Sequence, residues 1–164
     1  MLDVIVIGAG VVGCFIAREL SKYNLSVFLL DKENDVGNVS SMSNSAIVHS
    51  GYDPLPGSKK AYFNVRGNAL FPSVCQDLDV EFSQLGSLTV AVNKEQLDVL
   101  KELHNRGQIN GVETRILTRD EVLIMEPHIT PSVQGALLCP TAGIVNPFCL
   151  VAHCAENAID NGVT

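Results

Sequence analysis

Three glycines, Gly8, Gly10 and Gly13, follow directly on an apolar run in the stretch Gly8-Ala-Gly-Val-Val-Gly13. Residues of that type at that spacing bind phosphate through the backbone. The first glycine permits a tight strand-to-helix turn, the second lets the main chain approach a pyrophosphate, and the third lets the helix pack closely on the strand. The helix that follows begins at Val11 and Val12, and its free N–H groups and partial positive charge face the anion. Asp31 comes 18 residues after Gly13, where a carboxylate accepts hydrogen bonds from ribose hydroxyls. Its charge repels a 2′-phosphate and so disfavours NADP. The glycines by themselves do not separate NAD from FAD.

The elements that must position these residues are legible around them. Leu2–Ile7 is an almost unbroken apolar run, rich in β-branched residues, as in a strand of a parallel sheet buried on both faces. Val11, Val12, Phe15, Ile16 and Leu20 place an apolar stripe on a helix ending near Tyr23-Asn24. Ser26–Leu30 predicts a second strand, closed by Asp31-Lys32. Together they make one βαβ unit of about 30 residues. Another helix and a third parallel strand would follow in an ordinary Rossmann domain. Instead, residues 37–58 are rich in Ser, Asn and Gly, with a short apolar patch at Ala46–Val48.

Beyond it the pattern predicts a helix over about 58–79, kinked or interrupted at Pro72, and a strand in Gly86–Val92. Asn93 with Gln96 opens a helix to about Arg106. Thr118 with Glu121 forms a capping box for a short helix ending before Pro127. Val133–Cys139 is a further strand, and Asn146-Pro147 caps a helix to about Asp160. Gly162 suits a helix C-cap, and Val163 is placed as the first residue of another strand. The expected organisation is an incomplete α/β nucleotide-binding domain over 1–79, part of an inserted α+β substrate or cap domain over 80–144, and a returning helix over 145–164. Two parallel strands do not make a stable sheet alone, so the chain is expected to be an N-terminal fragment.

Composition removes several classes. The 164 residues are 46% hydrophobic and 18% charged, enough apolar material for a core and too little charge for disorder. A net charge of −7 without clustered Lys/Arg argues against a nucleic-acid surface or a polybasic membrane anchor. No apolar run approaches the ~20 residues that span a bilayer. The N-terminus lacks the basic region of a signal peptide, and a cytoplasmic location is expected. Cys14, Cys75, Cys139, Cys149 and Cys154 form an odd set without a CxxC pair, which suits small buried hydrophobes better than disulfides or a zinc site. No metal-ligand cluster and no Ser/His/Asp arrangement stands out.

One segment carries a more specific signal. Ser40-Ser-Met-Ser-Asn-Ser-Ala-Ile-Val-His-Ser-Gly-Tyr52, followed by Pro56-Gly-Ser-Lys-Lys60, resembles the corresponding segment of D-amino-acid-oxidase-type flavoproteins. Within them it is most similar to FAD-dependent glycerol-3-phosphate dehydrogenases and L-2-hydroxyglutarate oxidases. Gly86-Ser-Leu, Glu126-Pro127 and Gly143-Ile-Val-Asn-Pro147 also fall where those families carry similar pieces. The resemblance covers the whole chain, although the families are considerably longer. They more often carry Glu where this chain has Asp31.

The resemblance implies a glutathione-reductase-type FAD fold, with FAD as cofactor. Lys32 would border the nucleotide beside Asp31. Ser43, Asn44 and Ser45, with Ala46 and Ile47, would pass close to the pyrophosphate and the flavin. His49 would lie near the isoalloxazine and the substrate, where an imidazole serves as base or stabilises charge on reduced flavin. The implied activity is oxidation of a small anionic hydroxy compound, glycerol-3-phosphate first. L-2-hydroxyglutarate or amine oxidation on the same fold is the alternative, and a non-catalytic dinucleotide-binding module is the alternative of another class. The electron acceptor would be a quinone, a partner flavoprotein or oxygen, and peripheral membrane contact stays open for the parent protein. Lys59, Lys60 and Arg66 are candidates for gripping an anion, against a default of a solvated helix face. His104, His128 and His153 are expected to be packing or surface residues, His104 solvated. The 164-residue chain alone is expected to bind FAD weakly or not at all.

Overall fold

A computed structural model describes residues 1–164. Strand β1 (Val4–Ile7) runs into the glycine turn, helix α1 (Val11–Leu20) and strand β2 (Val27–Leu30). β1 and β2 pair in parallel, with Val4 opposite Val27 and Ile7 opposite Leu30. The turn works because Gly8 adopts φ +104°, a left-handed conformation that costs a side-chain-bearing residue roughly 1–2 kcal/mol. The remaining elements are β3 (Ile47–Val48), α2 (Lys59–Asp77), β4 (Phe82–Ser83), β5 (Ser87–Ala91), α3 (Lys94–Asn110), β6 (Arg115–Thr118), α4 (Arg119–Met125), β7 (Gly135–Cys139), β8 (Gly143–Val145) and α5 (Pro147–Asp160).

The chain divides into two compact units. The first comprises 1–47, 72–82 and 145–164, and the second 48–71 and 83–144. The second unit thus takes in 48–71, a stretch the sequence reading left with the nucleotide-binding part. The chain passes between the units within β3, α2, β4 and at the end of β8. In α2 the passage falls at Pro72, which the helix carries without interruption.

In the first unit α1 packs against α5, and Val6, Ala17, Val27, Ala158 and Val163 form the core. Val163 is followed by a strand-like pairing. The Thr164 N–H donates to the Val27 carbonyl at 3.0 Å and the Thr164 carbonyl accepts from Leu29 N–H at 2.8 Å. Arg18, buried, crosses from α1 to Asn157 on α5 at 3.1 Å and to Asp77 at 3.4 Å. The expectation that β1 is covered on both faces fails. Ile5 and Ile7 are 49% and 87% exposed, because α1 and α5 cover the Val6 face and no element of this unit lies over the other. The bare face is apolar, so it keeps a strong tendency to acquire a covering layer.

In the second unit β5, β7 and β6 form an antiparallel sheet in that order, with Ser87 opposite Cys139 and Thr118 opposite Gly135. α3 covers it through Leu100, Leu137 and Ala91, and α4 through Leu117, Val122, Val133 and Ala136. The helix starts follow the sequence signals. The Asn93 side chain accepts from Gln96 N–H, Thr118 and Glu121 complete a reciprocal capping box, and Asn146 accepts from Phe148 and Cys149 N–H. α3 runs one turn beyond Arg106, to a left-handed Gly111. β6 and β8 had no sequence signal of their own. All five cysteines are free, four of them buried.

Candidate functional site

The nucleotide turn is built within the first unit. A Cβ on Gly13 would overlap the Gly8 carbonyl oxygen, so helix and turn meet as closely as backbone allows. A Cβ on Gly10 would come 3.3 Å from Ser41 Oγ. Ser41 Oγ accepts from Val11 N–H at 3.0 Å, and Asp31 Oδ2 accepts from Ala9 N–H at 2.6 Å. The oxygens of two side chains therefore meet N–H groups of the same turn that suits a phosphate oxygen. The other Asp31 oxygen accepts from Glu33 N–H at 2.9 Å. These two backbone bonds, Glu33 first and Ala9 second, hold the Asp31 carboxyl below the usual carboxylate range.

Beside Asp31 a pocket of about 290 Å3 opens between Ala9, Leu29, the 33–36 loop, Ile159 and Thr164. Lys32 does not contribute to it; its ammonium lies 3.3 Å from Glu33 and is largely in solvent. Val12 is exposed at the start of α1.

The serine-rich segment returns to the same turn. Asn44 donates to the Ser41 carbonyl at 2.9 Å, and its own Oδ1 accepts from Ala46 N–H at 2.7 Å. Ala46 takes φ +61°, a conformation costly for a residue with a Cβ; such strain is found preferentially at functional sites. Its carbonyl accepts from Val145 N–H at 3.1 Å. Ser43, Ser45 and Ile47 are exposed. Ser41 was missed from the sequence as a contact of the glycine turn. Its serine neighbours looked equivalent, and only the fold brings one of them to Val11.

His49 belongs to the second unit. It is exposed, and with Tyr52, Asp53, Lys60 and Asn64 it lines a pocket of about 200 Å3. Lys60 makes no ion pair. Lys59 and Arg66 instead line a separate, larger groove of about 810 Å3 with Tyr62, Phe63 and Ile109. His104 is not simply solvated as expected: its Nδ1 lies 2.8 Å from Thr114 Oγ1. His153 Nδ1 lies 2.7 Å from the Leu78 carbonyl, and His128 is exposed.

The model of the FAD dependent oxidoreductase family matches residues 3–164. The chain belongs to that family. It is 49% identical to the glycerol 3-phosphate dehydrogenase of Caloramator mitchellensis, over 99% of this chain and 34% of that protein. It is 36% identical to the mitochondrial L-2-hydroxyglutarate dehydrogenase of Arabidopsis thaliana, over 97% of this chain and 33% of the relative. Among solved structures, the dithionite-reduced L-alpha-glycerophosphate oxidase of Mycoplasma pneumoniae with FAD bound superposes with a TM-score of 0.93 at 29% identity, covering 99% of this chain and 43% of that one. The chain therefore spans about a third to under half of the proteins it matches.

The family's cofactor, FAD, fits the residues present. The bare Gly10 and the packing of Gly13 on Gly8 keep the N-terminus of α1 clear of side chains at these positions, the arrangement a pyrophosphate needs. Asp31 offers carboxylate oxygens beside a pocket at the end of β2, where a ribose needs acceptors. No helix is long and apolar enough to cross a membrane, and no group of His, Cys, Asp and Glu could hold a metal ion.

Proposed function

We propose that this chain is the N-terminal part of an FAD-dependent dehydrogenase that oxidises the secondary alcohol of a small anionic hydroxy compound, glycerol-3-phosphate to dihydroxyacetone phosphate being the first choice. The observation that carries the reading is that His49 and the unpaired Lys60 line one small pocket. An imidazole there takes the hydroxyl proton of the substrate. The Lys60 ammonium offers a point charge to a phosphate or carboxylate. Asp31, Gly8–Gly13 and Ser43–Ile47 hold the dinucleotide, with Ser41 added to that set and Lys32, turned to solvent, removed from it. When bound, FAD supplies the redox chemistry by accepting the hydride. The 49% identity to a protein named glycerol 3-phosphate dehydrogenase supports the substrate. The similarity to an L-2-hydroxyglutarate dehydrogenase keeps the 2-hydroxy acid as the second reading. Both substrates are anionic secondary alcohols. An electron acceptor, whether a quinone, a partner flavoprotein or oxygen, then reoxidises the cofactor.

The test is anaerobic bleaching of the flavin in the full-length gene product. Glycerol-3-phosphate should bleach it in preference to L-2-hydroxyglutarate and glycine. Bleaching by glycine alone would sink the hydroxy-compound reading, and bleaching by none of them would favour a non-catalytic nucleotide-binding module. His49→Ala should slow the bleaching by about 10²–10⁴-fold.

A further inference from the structure

The His49–Pro54 loop is held by side chains rather than by a ladder of its own. Asn64, on α2, donates Nδ2–H to the His49 carbonyl at 2.9 Å. Asn110, the last residue of α3, donates the same amide nitrogen to two carbonyls, Gly51 at 3.0 Å and Pro54 at 2.9 Å. Arg106 donates to the Asp53 carbonyl at 2.7 Å, and the Tyr52 hydroxyl lies 2.7 Å from Thr89 Oγ1. At Gly51, φ +97°, a Cβ would lie 2.7 Å from Val65 Cγ2 and 3.1 Å from the Val65 nitrogen. Four of the six loop carbonyls, those of residues 49, 51, 53 and 54, thus accept from long side chains of α2 and α3. The imidazole of His49 makes no hydrogen bond of its own. The direction of its Cα–Cβ bond is therefore set by the backbone from which it springs, and the plane of the 49–50 peptide is fixed by Asn64.

We propose that Asn64 and Asn110 are positioning residues for His49, Asn64 directly through the His49 carbonyl and Asn110 through the turn behind it. The proposal rests on the reading of His49 as proton acceptor. A base works only within hydrogen-bond reach of the proton it takes, and a displacement of about 1 Å costs on the order of 100-fold in rate. An exposed loop without these donors samples many directions. With them, the bond from which the ring hangs is presented in one.

The experiment uses the full-length, FAD-loaded protein and follows flavin reduction by substrate. Asn64→Ala should slow the limiting rate by roughly 10- to 100-fold while the half-saturating substrate concentration stays nearly constant. Asn64→Asp, which keeps the shape and loses the donor, should slow the limiting rate as much while its added charge raises the half-saturating concentration of an anionic substrate. Asn110→Ala should slow reduction in the same way as Asn64→Ala. In a His49→Ala background Asn64→Ala should bring no further loss, because the two act as one unit. On the flavin-free protein, Asn64→Ala and Asn64→Asp should shift or broaden the NMR ring signals of His49 and leave those of His128 unchanged. A lower melting temperature with an unaltered reduction rate overturns the proposal, as do losses that add to that of His49→Ala. Should His49→Ala reduce its flavin at the parent rate, the base reading itself falls. The ring signals then decide the brace alone, and unchanged His49 signals in both Asn64 variants overturn it.

Discussion

Asp31 ties the end of β2 to the glycine turn. It accepts backbone N–H groups from Glu33 and Ala9, and its folded pKa lies below that of the unfolded chain. The unfolded chain then binds the proton more tightly, so the contribution is full above about pH 4 and is lost as the pH falls through the lower folded value. Urea midpoints of the parent chain and Asp31→Asn should differ at neutral pH and converge in acid; a constant difference would contradict this. Gly13→Ala forces a Cβ into the Gly8 carbonyl and should cost about 3 kcal/mol with loss of bound flavin, read by denaturant midpoint and by flavin absorbance. The thiols divide by burial. Desolvation, with the Asp31 charge second, pushes Cys14 up to about 11, and desolvation with Cys14 nearby pushes Cys154 up to about 12. Both stay protonated at neutral pH. Only Cys149 is partly exposed, so a disulfide-exchange reagent on the native protein should find one fast thiol, absent in Cys149→Ser.

At the scale of elements, the helices are fixed by short local signals. The Asn146 side-chain oxygen accepts from two orphan N–H groups of α5, and α5 carries Ala158 into the core of the first unit. Asn146→Ala should cost about 1 kcal/mol, measured as a shift in the denaturant midpoint without change in its slope. No shift would mean that tertiary packing alone sets the start of α5. The capping box at Thr118 was legible for the same reason: its partners lie three residues apart. The short strands were not. β8 has three residues and β3 and β4 two each, too few for a period to show, and β6 exists because β7 pairs with it.

Across the whole chain, large apolar side chains stay exposed in both units. β1 leaves Ile5 and Ile7 bare. The 164-residue chain expressed alone should therefore bind a dye for apolar surface strongly and FAD weakly or not at all. A yellow purified protein would refute this. A longer gene product should retain flavin and bind the dye less.

The sequence by itself determined the glycine turn, its carboxylate, the helix caps and the family, because each rests on residue types at short, fixed spacing. Tertiary structure decided which serine reaches Val11, that Ala46 is held left-handed, and that Asn64 and Asn110 grip the loop bearing His49. Those partners lie 30 and 59 residues apart for Ser41 with Val11 and for Asn110 with Gly51. A serine or asparagine that caps a turn from such a distance looks, in sequence, like any solvated one. Only the folded chain, by bringing a particular carbonyl or N–H within about 3 Å, distinguishes them.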